Sequence, residues 1–362
     1  MFDAFAWQDG TVLKPAIIDD APPPKAFAPT PTKPPTVKTA IDDIPGTDHE
    51  LYLSALARLE KLEGLDDVKR EVRELVALLR VSRVREQHGS TEEPPTLHYI
   101  FAGDPGTGKT TVARIVADLL KSLGYLKQGQ CIETDRAGLV AAYTGQTALK
   151  THDIIESAIG GVLFIDEAYT LTPEDRLDPY GPEAIATLLK EMEDRRHDFV
   201  VIAAGYTSEM KRFLESNPGL QSRFSQKMTF ASLSRTELER VFDSLLQTGR
   251  FTADDETRRG VGFLAEKLRA STGESFGNAR TIRTIFEKMR RRQSVRITTN
   301  GMPTEKEDFY KLILADIPSQ EMIGLSPEQL RAQLDKKGFF IASPGAGSIL
   351  GNPAGPGSTH LN

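Results

Sequence analysis

Cysteine is almost missing from this chain. Cys131 is the only one in 362 residues, so no internal disulfide can form, and the composition fits a reducing compartment, the cytoplasm. Long apolar runs are missing too, and none approaches the ~20 residues needed to span a bilayer. The opening residues, MFDAFAWQDG, carry no basic stretch followed by an apolar core, so neither a secretory leader nor a membrane anchor is expected. An excess of basic charge is also lacking. The 45 Lys and Arg residues against 51 Asp and Glu leave a net charge of -6, which provides no electrostatic reason for nucleic acid to be the main partner. The one basic run, Lys288-Met-Arg-Arg-Arg292, reads as a solvated helix end. No internal repeat is visible. The length exceeds one average domain and predicts two linked domains with flexible ends.

What is present is sharper. Gly103-Asp104-Pro105-Gly106-Thr107-Gly108-Lys109-Thr110-Thr111 fits the pattern G-x-x-x-x-G-K-[ST]. It lies between the apolar run Tyr99–Ala102, which reads as a buried strand, and a helical pattern over Thr111–Leu120. In that context the glycines let backbone N–H groups face phosphate oxygens, and the helix start adds partial positive charge. Lys109 is then placed for the β- and γ-phosphates of a nucleoside triphosphate, and the Thr110 hydroxyl for Mg²⁺. A second signal is Gly161-Val-Leu-Phe-Ile165-Asp166-Glu167, a short apolar strand ending in two carboxylates. Asp166 is the candidate metal ligand. Glu167, expected on the opposite side because strand residues alternate, is the candidate for orienting the attacking water.

Strand-like runs alternate with helical ones between Pro95 and Phe230, which predicts a parallel sheet covered by helices, an α/β fold. After Phe230 the pattern turns helical, with capping-box signatures at Ser234-Arg-Thr-Glu237 and Ser326-Pro-Glu-Gln329. The expected division is a proline-rich disordered arm over 1–48, a nucleotide-binding domain over 49–230 and a helical lid over 231–318. A short helix and a Gly/Pro/Ser-rich tail fill 319–362. Phe2, Phe5 and Trp7 form an aromatic cluster ahead of the arm, read either as a docking peptide or as a functionless end.

A parallel-sheet P-loop domain followed by a small helical domain resembles the AAA+ ATPases. Asn217-Pro-Gly-Leu-Gln-Ser-Arg223-Phe224 is similar to the segment carrying their arginine finger, and Gly277-Asn-Ala-Arg280 to their sensor 2. The longer phrases Val162-Leu-Phe-Ile-Asp-Glu-Ala-Tyr169, Ala204-Gly-Tyr206-Thr-Ser-Glu-Met210 and Phe213-Leu-Glu-Ser-Asn-Pro-Gly219 resemble the CbxX/CfxQ family. That family includes the red-type Rubisco activases and the stage V sporulation protein K group. The resemblance implies Mg²⁺-ATP hydrolysis in a hexameric ring that threads protein through its pore. It also implies Arg223 acting in trans, Arg280 acting in cis and Leu65 flanking the adenine. Ala142-Tyr143-Thr144-Gly145 resembles a pore loop, with Thr144 where a hydrophobic residue is usual. Tyr206 and Thr207 stand where many relatives place a sensor 1 Asn. Two rival readings are a nucleic-acid-directed, clamp-loader-like ATPase and an ATP-dependent assembly switch. The first would be stimulated by nucleic acid, against the acidic balance; the second needs neither Glu167 nor Arg223.

Overall fold

The computed structural model describes residues 47–91, 95–143, 145–173, 178–299 and 301–336, and these all belong to one packed unit. The aromatic cluster at Phe2, Phe5 and Trp7, the proline-rich arm over 15–45, Thr144 and the tail over 343–362 lie outside the described residues.

Two helices lead in, α1 (His49–Glu60) and α2 (Asp66–Gln87). The helical pattern of the sequence breaks between them at Gly64 and Leu65, whose φ values are 64° and 60°. Lys69 holds this break: its Nζ donates to the Leu62 carbonyl at 2.6 Å and the Glu60 carbonyl at 3.3 Å. A cation on carbonyls past a helix C-terminus satisfies acceptors that the helix cannot.

The sheet domain follows as β1 (Tyr99–Gly103), α3 (Lys109–Ser122), β2 (Cys131–Thr134), α4 (Arg136–Leu139) and α5 (Thr147–Ala158). It continues through β3 (Val162–Ile165), α6 (Tyr180–Asp194), β4 (Val200–Gly205), α7 (Thr207–Glu215), α8 (Pro218–Arg223) and β5 (Gln226–Phe230). The strand order is β2-β3-β4-β1-β5 and every pairing is parallel. β1, β3 and β4 are buried along their whole length because helices cover both faces. Alternation divides their side chains between two cores. Phe101, Phe164 and Ile202 pack with Val112, Val116 and Phe230 on one face, and Ile100, Leu163 and Val201 with Ile185, Leu188 and Phe213 on the other.

The lid has its own core. It is built from α9 (Arg235–Gly249), α10 (Asp255–Thr272), α11 (Asn278–Thr299), α12 (Ser319–Ile323) and α13 (Pro327–Lys336). Both expected capping boxes form. Ser234 accepts from the Glu237 N–H while Glu237 accepts from the Ser234 N–H, and Ser326 and Gln329 reciprocate likewise. The sequence reading needs two corrections here. A parallel pair, β6 (Thr252–Ala253) with β7 (Lys311–Leu312), ties the lid together; two-residue strands are too short to leave a periodic signal. The basic run at 288–292 is not a helix end, since α11 continues to Thr299, with Met289 buried and the Arg290 guanidinium 5.3 Å above the Phe251 ring.

Candidate active site

The site is assembled at the C-terminal edge of the sheet, where parallel α/β folds place their ligands. β1 delivers the loop Asp104–Gly108, and α3 begins at Lys109. Gly106 and Gly108 have φ values of 68° and 100°, conformations that L side chains rarely adopt. The first turn of α3 carries no acidic residue, so its exposed N–H groups and positive dipole end remain for an anion. The Lys109 ammonium is held inside the loop, donating to the Gly103 carbonyl at 2.8 Å and the Asp104 carbonyl at 2.9 Å. Burial lowers the Lys109 pKa, while Asp166, Asp104 and Glu167 oppose that shift and Arg280 reinforces it. These groups therefore share one electrostatic environment at short range.

Thr110 is half-buried in the first turn of α3, and Thr111 beside it is exposed. Asp166 and Glu167 are both exposed past the end of β3. The sequence argument that strand alternation separates them does not hold, because β3 ends at Ile165. A left-handed turn separates them instead: Glu167 has φ 48°, its N–H donates to Asp166 Oδ1 at 3.1 Å, and its carbonyl accepts from the Thr170 N–H at 2.9 Å. An L residue in that conformation costs roughly 1–2 kcal/mol. Among the described residues only Leu65, Glu167, Arg250 and Asn278 adopt positive φ without being glycine. Two of these four, Leu65 and Asn278, border the P-loop, and Glu167 acts electrostatically on its Lys109. Leu65 Cδ1 lies 3.6 Å from where a Cβ on Gly108 would stand, and Leu65 also packs on the first core cluster. Asn278 donates from Nδ2 to the Pro105 carbonyl at 3.2 Å. Strain concentrated around one loop marks a functional site rather than a random cost.

Arg280 comes to this loop from the lid. A Cβ on Gly106 would lie 3.1 Å from Arg280 Cβ and 2.0 Å from the Gly277 carbonyl oxygen, so only glycine allows so close an approach. The guanidinium end of Arg280 belongs to an exposed residue beside the phosphate loop. Arg223 is elsewhere. It ends α8, three residues before Gln226, which pairs with Tyr99 at the opposite end of β1 from Gly103. At about 3.3 Å per residue, the strand alone puts roughly 13 Å between the two edges. Arg223 Nη2 donates to Glu193 Oε2 at 2.9 Å, while its Nε is buried with no partner.

Comparisons with known proteins show the family and the fold. Residues 99–232 match the family model "ATPase family associated with various cellular activities (AAA)", and 234–324 match an AAA lid domain. The chain is 45% identical to protein CfxQ of Xanthobacter flavus over 248 residues, 68% of this chain and 77% of that protein. It is 43% identical to the chloroplastic ribulose bisphosphate carboxylase/oxygenase activase of Cyanidioschyzon merolae, covering 71% and 87% of the two chains. The chain belongs to the CbxX/CfxQ family of AAA+ ATPases. Stage V sporulation protein K of Bacillus subtilis is a further relative at 37% identity, covering 76% of this chain and 83% of that one. The fold matches the FIGL-1 AAA domain in complex with ADP, at 19% identity and a TM-score of 0.50 over 76% of this chain and 89% of the other. As a member of this family the chain is an ATP hydrolase whose site takes nucleotide with a divalent metal. The residues present fit both: left-handed glycines and an acid-free helix start for the phosphates, and the exposed Asp166 near Lys109 and Thr110 for the metal.

Sequence reasoning passed over His98. It lies just ahead of β1 with 1% exposure, its Nδ1 accepting from the Val201 N–H at 3.0 Å. Its ring lies 6.2 Å from Phe199 and 6.3 Å from Phe224, the residue after Arg223. Burial pushes its pKa down to about 4; the Met192 carbonyl opposes the shift and Arg223 adds to it. A histidine kept neutral in the fold refuses a proton that the unfolded chain accepts, so stability should be lost as pH falls from 6.5 toward 4. His98→Asn keeps a side-chain acceptor without titrating and is expected to flatten that limb of the melting-temperature profile. Equal slopes for both proteins in this window would assign the acid loss to other groups.

Proposed function

We propose that the chain is a Mg²⁺-ATP-dependent protein-remodelling ATPase that works as a closed ring, a hexamer, in the cytoplasm and pulls a protein substrate through a central pore. The observation that carries this reading is the division of the catalytic set between opposite edges of the sheet. Lys109, Thr110, Asp166, Glu167 and Arg280 gather at one edge, and Arg223 sits at the other, out of reach of its own P-loop. An arginine so placed can meet γ-phosphate charge only in a neighbour's site, where it is worth ~10³ to 10⁵ in rate.

Within one site, the loop from Gly103 to Thr111 wraps the phosphates, Lys109 contacts the β- and γ-phosphates, and Thr110 with Asp166 holds the metal. Mg²⁺ supplies neutralisation of the phosphate oxygens when bound. Glu167 orients water for in-line attack, Leu65 flanks the base, and Arg280 ties γ-phosphate to lid position. The sheet and lid bodies, proposed as 49–230 and 231–318 with α12 and α13 carried on the lid's core, then move against each other as nucleotide turns over. Tyr206 caps the start of α7 with its ring 6.1 Å from that of Tyr169, and Thr207 begins the helix, exposed. Either can serve as sensor 1.

Tyr143 is 71% exposed, which suits an aromatic that grips extended peptide through area rather than sequence. Tyr143→Ala should keep ATPase activity within a few-fold of wild type and abolish remodelling. The name of the Cyanidioschyzon relative makes inactive ribulose bisphosphate carboxylase/oxygenase the first substrate to try, with its reactivation as the readout. Reactivation by Tyr143→Ala at the wild-type rate would remove this loop from the mechanism, and stimulation of the ATPase by duplex DNA instead of protein would favour the clamp-loader-like reading.

A further inference from the structure

Asn278 is fully buried, at 0% exposure, and left-handed, with φ 42°. Its side-chain amide closes on three parts of the molecule at once. Oδ1 accepts from the Leu233 N–H at 3.0 Å, in the linker between β5 and the lid. Nδ2 shares its two hydrogens among the Pro105 carbonyl of the P-loop at 3.2 Å, the Phe276 carbonyl at 3.2 Å and Ser232 Oγ at 3.4 Å. Ser232 in turn donates to the Asp104 carboxylate, and the next backbone N–H, of Ala279, donates to the Gly106 carbonyl at 3.1 Å. Two P-loop carbonyls, of Pro105 and Gly106, thus face the lid within two residues of Arg280, while those of Gly103 and Asp104 hold Lys109.

We propose that Asn278 is the positioning residue that couples the P-loop to the lid, so that a change in the loop around nucleotide is passed through the Pro105 and Gly106 carbonyls to the placement of Arg280. This rests on the reading of Arg280 as the group that meets γ-phosphate. A buried amide satisfied on four sides has one arrangement of low energy, and loop and lid move together or break it. Pro105, which has no N–H, leaves its carbonyl as its only hydrogen-bonding backbone group.

The experiment measures ATP and ADP affinities of the full chain with Mg²⁺, all in a Glu167→Gln background so that ATP is not consumed. Arg280→Ala should lose preference for ATP over ADP by about fivefold or more, the ordinary scale of a coupling between sites. Asn278→Gly, which tolerates φ 42° and deletes only the side chain, should lose a similar part of that preference. The double variant should lose no more than Arg280→Ala alone. A purely structural role would lower the melting temperature while leaving the ATP-to-ADP ratio at the parent value, and that result overturns the proposal. So does full additivity of the two changes. An unchanged ratio in Arg280→Ala overturns the reading of Arg280 and the proposal with it. If Asn278→Gly does not fold, Asn278→Asp takes its place: it keeps an acceptor for the Leu233 N–H and loses the donation to Pro105, and the same outcomes decide.

Discussion

Glu167→Gln is expected to bind ATP about as well as the parent protein and to hydrolyse it at least ~10²-fold more slowly. The substitution keeps volume and shape, and the strained turn that presents residue 167 is held by its backbone, through Asp166 Oδ1 and the N–H and hydroxyl of Thr170. The exposed carboxylate is therefore removed without disturbing the scaffold. What this removes is the negative charge proposed to polarise the attacking water, while the loop and Lys109 proposed to hold the phosphates are left intact. Lys109→Ala should show the opposite pattern and lose binding itself, because its ammonium sits inside the phosphate loop between two carbonyls. Equilibrium binding and single-turnover hydrolysis on the same preparations separate the two effects. Near-normal turnover by Glu167→Gln would take Glu167 out of the chemistry.

The parts of this site that sequence made legible are those whose chemistry is local. The run from Gly103 to Thr111 needs glycines, lysine and threonine at fixed spacing on one strand-loop-helix unit, so order along the chain and position in space coincide. The carboxylates at the end of β3 are legible for the same reason, though their separation came from a left-handed turn at Glu167 rather than from strand alternation. Asn278 was not legible as a junction because its partners lie 45 and 173 residues away. The signal that was available is the pair Gly277-Asn278 at a helix start, two residue types that tolerate positive φ. His98 left no signal, since a lone histidine before a strand looks the same whether it is buried neutral or solvated. Leu65, which the family resemblance alone places beside the adenine, packs on the core and has its Cδ1 3.6 Å from where a Cβ on Gly108 would stand.

Arg223→Ala is expected to bind ATP through its intact P-loop and yet be nearly inactive alone, a loss of ~10³ or more if the arginine meets transition-state charge. Two features argue that the defect lies in the neighbouring subunit. Arg223 precedes β5 at the edge of the sheet away from its own Gly103, and only part of its fork is satisfied within the chain, with Glu193 on Nη2 and no partner on Nε. Among the described residues its two Nη atoms are held only by Glu193 and the adjacent Ser222 hydroxyl, contacts that a bidentate bond to phosphate oxygens can replace. Specific activity of the parent protein should then rise with concentration as subunits assemble. Arg223→Ala added to parent protein should depress activity more than dilution does.

The central claim is that each active site is completed by the next subunit, and mixing the inactive Arg223→Ala and Lys109→Ala proteins tests it most directly. An intact Arg223 from the Lys109→Ala chain can then meet an intact P-loop from the Arg223→Ala chain, so ATP hydrolysis should reappear in the mixture and follow the fraction of mixed interfaces. Mixtures that demonstrably co-assemble and remain as inactive as their components would contradict the account.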